Sequence, residues 1–204
     1  MSDWPQLFFA RHGETSWNLE RRYQGQHDIP LNETGHAQAD AIGPLLVDML
    51  EASNIDPTKI NWYASPLSRA AETMHRMRKA FDVDLPEVIF DKRLLEISFG
   101  IMEGKLHHEL SANIGIATGK RPADYWDHRP PQGESYQDVA DRLLPLAGEL
   151  SDPAIIVAHG GILRVMRHLI DKTPKEQIVN WPVPQGAIAH FSNGKMSMHY
   201  ADGC

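Results

Sequence analysis

Leu7, Phe8, Phe9 and Ala10 form an uninterrupted apolar run that breaks without a spacer into Arg11, His12, Gly13, Glu14, Thr15 and Asn18. A short apolar run that ends in a turn reads as a strand buried on both faces. The same grammar returns at 153–170, "PAIIVAHGGILRVMRHLI", where an apolar strand ends in His159, a Gly-Gly turn and a helical pattern. Strands buried on both faces must sit in a sheet covered by helices on each side, and each of these delivers a histidine at its carboxyl end.

The remaining periodicities fit that frame. Residues 34–52 have apolar positions at helical spacing (Ala37, Ala41, Leu45, Leu46, Met49, Leu50), with Thr34 as the expected cap and a kink expected at Pro44. A short strand is expected at Ile60–Ala64, followed by Ser65 as N-cap, Pro66 in the first turn and a helix to about Phe81. "PEVIF" (86–90) is a third strand, and 133–150 is a helix with Tyr136, Val139, Ala140, Leu143, Leu144 and Leu146 inward. Asn193-Gly194 marks a closing hairpin within 186–200. The expected fold is an α/β three-layer sandwich: a mostly parallel central sheet flanked by helices, with an antiparallel edge hairpin. The Gly- and Pro-rich segment at about 104–132 reads as a helical and loop insertion, a lid on a single domain spanning 1–204.

Composition narrows the function. The net charge is -7, and the basic residues are scattered, which argues against a nucleic-acid or anionic-membrane surface. The single cysteine is Cys204, so no intrachain disulfide or thiolate metal site is expected. With neither a leader pattern nor a membrane-length apolar run, the expected compartment is the cytoplasm. There is no Walker loop and no G-x-S-x-G elbow, which leaves histidine as the nucleophile of choice. Ligands of such sheets bind beyond the carboxyl ends of the strands, where His12, Arg69 and His159 all fall. The planar forks of Arg11 and Arg69 match phosphate oxygens.

Six ordered blocks carry a resemblance: "RHGETSWN" (11–18), "YQGQHDIPLNETGHAQA" (23–39), "SPLSRAAET" (65–73), "LLEISFGIMEG" (94–104), "PQGESYQDV" (131–139) and "VAHGGILRV" (157–165). Together they resemble the histidine phosphatase, or phosphoglycerate mutase-like, superfamily. The resemblance implies that His12 becomes a phosphohistidine and that Glu96 is the proton donor to the leaving group. It also implies that Arg11, Asn18, Arg69, His159 and Gly160 hold the phosphoryl group, and that Arg22, Tyr23 and Gly25 line the substrate mouth. Two guanidiniums beside His12 should keep its attacking nitrogen unprotonated, whereas a nearby phosphate and partial burial should keep the proton on Glu96. The scheme demands no metal and no cofactor.

Several residues take plainer readings. Glu14 is assigned to favouring a helix start, and Glu103 to a turn, with backup proton donation as the second reading of Glu103. His107, His108 and His128 are read as exposed or packing in the lid rather than as metal ligands, since adjacent histidines do not share a helical face. Lys120, Arg121, Tyr125, Trp126 and Arg129 are either contacts to the far end of a substrate or a packed surface loop. "FGIMEG" and the compact insertion resemble the phosphatase branch, despite Met102 standing where many phosphatases have Trp. The expected substrate is a small phosphorylated metabolite: α-ribazole phosphate, a sugar phosphate, a phosphoglycerate or a broad range of phosphomonoesters. The alternatives are a cofactor-dependent phosphoglycerate mutase and a noncatalytic phospho-ligand or protein-binding relative. The edge hairpin leaves a homodimer open.

Overall fold

The computed structural model describes residues 4–111, 123–150 and 152–201. Its elements in chain order are β1 (Leu7–Arg11), α1 (Ser16–Leu19), α2 (Glu33–Ala52), β2 (Asn61–Ala64), α3 (Ser68–Arg78), β3 (Val88–Phe90), α4 (His107–Ser111), α5 (Tyr136–Glu149), β4 (Ala154–Ala158), α6 (Gly160–Asp171), α7 (Lys175–Ile178), β5 (Ala187–Ser192) and β6 (Lys195–Tyr200). The six strands form one mixed sheet in the order β3-β2-β4-β1-β5-β6. The pairings from β3 to β1 are parallel, and β5 and β6 add antiparallel pairs at one edge.

The alternation within β1 shows why its run is apolar throughout. Leu7 and Phe9 belong to the core on the α5–α6 side, while Phe8 and Ala10 belong to the core on the α2–α3 side. β4 divides likewise, with Ala154, Ile156 and Ala158 on one side and Ile155 and Val157 on the other. This is the expected three-layer α/β arrangement. Residues Asn193 and Gly194, at φ 51° and 71°, make the hairpin turn in the left-handed region that Asn and Gly tolerate.

Register then places the site. Ala10 pairs with Val157, and Val157 with Ala64, so the carboxyl ends of β1, β4 and β2 lie level. The turns that follow are stitched together, with His12 N donating to Ala158 O and Ser65 N donating to Val157 O. Gly13 has no room for a side chain: a Cβ there would lie 2.2 Å from the carbonyl oxygen of Gly35. The backbone leaving β1 is therefore pressed against the start of α2.

The structure corrects four local expectations. The cap of α2 is Asn32, whose side chain accepts from Gly35 N, and Thr34 is the second helical residue. Ala37 is exposed while Ala39 and Ile42 face the core; α2 continues through Pro44, which lies on the exposed side where its freed carbonyl partner can reach water. α3 starts at Ser68, not Pro66, because the Ser65 hydroxyl is engaged with His159, and Asp28 accepts from Ser68 N and Oγ instead. Leu144 is 50% exposed, since it follows Leu143 by one step around α5 and points outward.

Within the expected lid, residues 112–122, including Lys120 and Arg121, lie outside the described residues, as does Cys204. In the latter part of the segment two aromatic side chains reach the core. Tyr125 and Trp126 are buried, and Trp126 stacks on Tyr136, meets His168 edge-on and donates to Gln137 Oε1. Arg129 pairs with Asp138 at the start of α5. Among the described residues, no helix is long and apolar enough to cross a membrane.

Candidate active site

A cavity of about 600 Å³ opens where β1, β2 and β4 end. His12, Arg11, Asn18, Arg22, Tyr23, Gly25, Arg69, Glu96 and Gly160, all expected from sequence, line it. His159 stands behind this wall, fully buried, with its ring centroid 5.1 Å from that of His12. Arg21, Arg164, Glu14 and Gln185 also line the cavity, so five arginines face it against two glutamates. A chain of net charge -7 thus concentrates positive potential in one cleft, which attracts anions.

His12 is 2% exposed and its Nδ1 lies 2.7 Å from its neighbour's carbonyl oxygen, Gly13 O. A carbonyl only accepts, so Nδ1 carries the proton and Nε2 presents its lone pair. Burial, followed by the charges of Arg69 and Arg11, holds the ring well below the ordinary imidazole value of 6.5. His159 is pushed the same way by burial and then by Arg69. Ser65 Oγ accepts from Leu67 N and lies 2.7 Å from His159 Nε2. The hydroxyl can give its proton to Nε2 or accept one from it, according to the tautomer of the neutral ring.

The two central arginines are clamped by carbonyls. Arg11 donates from Nη1 to Val183 O at 2.7 Å, and burial, with Arg164 next, lowers it to about 10, so it stays cationic at neutral pH. Arg69 is fully buried and donates from Nη1 to His27 O and from Nη2 to Gly25 O. Among the described residues, the buried donors Arg11 Nε and Arg69 Nε and the buried ring nitrogen His159 Nδ1 have no hydrogen-bond partner. Both guanidiniums line the cavity beside His12 and lie close enough for their charges to act on its ring. Asn18 commits its Oδ1 to Thr15 and Gln185, which leaves its NH₂ as the group available for donation.

Glu96 enters from the opposite wall. Its Oε1 accepts from Ile97 N at 2.9 Å and Gly161 N at 3.0 Å, and its Oε2 lies 3.2 Å from Gly161 N. Behind it, Arg142 donates to Leu95 O and Glu96 O and pairs with Glu134, which accepts from Ser98 N. A Cβ on Gly161 would fall 2.3 Å from Glu96 Oε1, whereas one on Gly160 would make only ordinary contacts. Gly161→Ala should therefore shift the carboxylate and the buried Ile97 side chain, whose Cγ2 would lie 2.9 Å from the new Cβ, rather than the backbone. We expect catalytic turnover to fall by roughly 10- to 100-fold, in proportion to a displacement of about 1 Å, with thermal unfolding lowered only by the repacking of Ile97. Steady-state kinetics beside calorimetry checks this, and equal losses of stability and turnover would contradict it.

Sequence reasoning missed Arg164, Gln185, Ser65 and Gly161. Arg164 lies one helical turn beyond Gly160, a spacing that could have flagged it. Gln185, which donates to His12 O and Asn18 Oδ1, has no such signal. Glu14 does not open a helix; its Oε1 accepts from Asn32 Nδ2. His107 packs on Tyr23 and lines the cavity, while His128 stacks on Tyr125. Among the described residues, no three His, Cys, Asp or Glu side chains come together as a metal site.

Known proteins resemble this chain in sequence and in fold. A glucosyl-3-phosphoglycerate phosphatase from Mycolicibacterium vanbaalenii is 36% identical over 194 residues, spanning 88% of this chain and 79% of that protein. A 2,3-bisphosphoglycerate-dependent phosphoglycerate mutase 2 from Gloeobacter violaceus is 32% identical over 202 residues, spanning 94% of this chain and 88% of that one. The solved structure of a mycobacterial glucosyl-3-phosphoglycerate phosphatase complexed with VO3 superposes at a TM-score of 0.77, with 26% identity and 96% of each chain covered. With residues 7–198 matching the family as a whole, the chain belongs to the histidine phosphatase superfamily, branch 1.

Proposed function

We propose that this chain is a single-domain phosphomonoester hydrolase that works through a phosphohistidine on His12. The observation that carries the reading is the meeting in one cavity of His12, its Nδ1 held by Gly13 O, with the carbonyl-clamped guanidiniums of Arg11 and Arg69 and the carboxylate of Glu96. They supply what phosphoryl transfer asks of a protein: position and positive charge about the equatorial oxygens.

In the first step the Nε2 lone pair attacks phosphorus, the ester P–O bond breaks, and Glu96 gives its proton to the departing oxygen. The Nδ1–H bond to Gly13 O supports the positive charge that the ring gains. In the second step water attacks phosphorus and loses a proton to the Glu96 carboxylate, the P–N bond breaks, and neutral His12 is restored. Guanidiniums meet the phosphate charge throughout, so no metal is called for. The substrate is a small phosphorylated metabolite. Phosphoglycerates and their glycosyl derivatives head the panel because they appear in the names of two of the compared relatives.

Chelator-treated enzyme is assayed against phosphoglycerates, sugar phosphates and α-ribazole phosphate, scoring both free phosphate and isomerised phosphoglycerate, with acid and alkaline quenches of any labelled protein. The expected result is free phosphate and a label stable to alkali but lost in acid, as a phosphoramidate is. The similarity to a mutase favours a second reading, which isomer without phosphate would establish. An acid-stable phosphoprotein, or activity restored only by a divalent metal, would overturn the mechanism.

A further inference from the structure

Arg69 and Glu96 are held in place by two segments that share no secondary structure. One is the loop 24–28, whose carbonyls at Gly25 and His27 hold both terminal nitrogens of Arg69. The other is the segment 96–99, which carries Glu96. One carboxylate bridges them, beside the backbone bonds Gly104 N to Tyr23 O and Tyr23 N to Lys105 O. Glu103 Oε1 accepts from Phe99 N at 2.9 Å and Ser98 Oγ at 3.2 Å on one wall, and from Gln26 N at 3.2 Å on the other. Its Oε2 lies 3.5 Å from His27 Nε2, and the side chain is only 11% exposed. Gln26 closes the junction by donating from Nε2 to Glu96 O at 3.1 Å.

The fit at this joint is close. Gly25 has φ +52°, and a Cβ there would lie 2.0 Å from Glu103 Oε1, so the carboxylate occupies the space that a side chain at 25 would need. The negative charge of Glu103 also acts on Arg69, favouring its cationic form against the effect of burial. Glu103 is absent from the cavity wall, which separates it from the residues that would touch substrate.

We propose that Glu103 is a positioning residue that sets the distance between Arg69 and Glu96, and that it does so by reach rather than by proton transfer. It acts through the Gly25 and His27 carbonyls on one side and the Ser98–Phe99 backbone on the other. This inference rests on the phosphatase reading above for its kinetic arm, but not for its binding arm.

Two conservative substitutions separate reach from charge. Glu103→Gln keeps an oxygen at the same distance for the three donors and removes the charge and the titratable proton. Glu103→Asp keeps the charge and withdraws both oxygens by one methylene. We expect Glu103→Gln to retain kcat/KM within about threefold and Glu103→Asp to lose roughly 10- to 100-fold, as an ångström-scale misplacement of the catalytic groups does. Inorganic phosphate binding, measured by calorimetry, should weaken about tenfold in Glu103→Asp and stay close to native in Glu103→Gln. The binding arm holds whether or not phosphate is released, so a wild-type protein without turnover would sink the proposed function while leaving Glu103 to be judged by affinity. The reverse order, an active Asp variant and an inactive Gln variant with an altered pH profile, would make Glu103 a proton donor and overturn the inference. Native kinetics and native affinity in Glu103→Asp would overturn it as well. Glu103→Ala serves as a limit when it folds, and it should behave like Glu103→Asp.

Discussion

His12→Ala should abolish phosphate release, lowering kcat by on the order of 10⁴-fold or more, as removal of a nucleophile does when no neighbour can take its place. No substitute is at hand among the described residues. Ser65 is engaged with His159, and His159 lies behind the cavity wall. Binding should survive, because Arg11 and Arg69 are held by carbonyls of Val183, Gly25 and His27 and not by His12. Inorganic phosphate affinity within about tenfold of native beside absent turnover is therefore the expected pair of results. Folding should change little, since the ring's one hydrogen bond among the described residues, to Gly13 O, contributes about 1 kcal/mol and its loss is offset by removing a buried polar ring.

The wild-type pH profile carries the same assignment. Attack needs neutral His12, and burial together with Arg69 and Arg11 holds its pKa well below 6.5. The protonation of His12 should therefore limit kcat/KM only at a pH well below 6.5, and activity should persist through mildly acidic solution. An acid limb of kcat/KM above 6.5 that moves when Arg69 is replaced by Met would contradict the electrostatic account. Turnover surviving in His12→Ala would remove the nucleophile altogether.

What could be read in the sequence is what short-range chemistry fixes. The runs 7–10 and 154–158 are apolar at every position because both faces of their strands are covered, and so the strand–histidine grammar alone located the carboxyl-end site. The six blocks then placed Arg11, His12, Asn18, Arg69 and Glu96 on one cavity. Misreadings arose where a side chain with a plausible local use is taken up by a distant partner. Ser65 is a good N-cap by type, yet its hydroxyl serves His159, and Asp28 supplies the acceptor at Ser68 from 40 positions away. Glu103 does stand in the turn before Gly104, and what the sequence leaves unseen is that its acceptor oxygen also reaches back to Gln26 and to Phe99. Trp126 sits in a Pro-rich stretch that looks like surface, and its ring fills the core against Tyr136. Such pairings depend on which strands lie side by side, information that no window of a single sequence contains.

Glu96→Gln should give the second large loss, and its size should depend on the leaving group. Gln keeps the length of the side chain and an oxygen able to accept from Ile97 N and Gly161 N, so the wall it forms should stay in place. It cannot give up a proton to a departing alkoxide. Proton transfer of this kind contributes about 10²- to 10⁴-fold, and the upper part of that range belongs to alkyl esters such as phosphoglycerates and sugar phosphates. A nitrophenyl ester expels an anion that is stable without a proton, so on that substrate the variant's first step should be nearly as fast as native. The second step needs the carboxylate again, as a base toward water, and so phosphohistidine should accumulate in Glu96→Gln when a nitrophenyl ester is used. A burst of nitrophenol matching the enzyme concentration, followed by slow turnover, is the expected trace. Equal losses on both substrates with no burst would instead mean that Glu96 acts only through its charge on Arg11 and Arg69, whose cationic forms it favours.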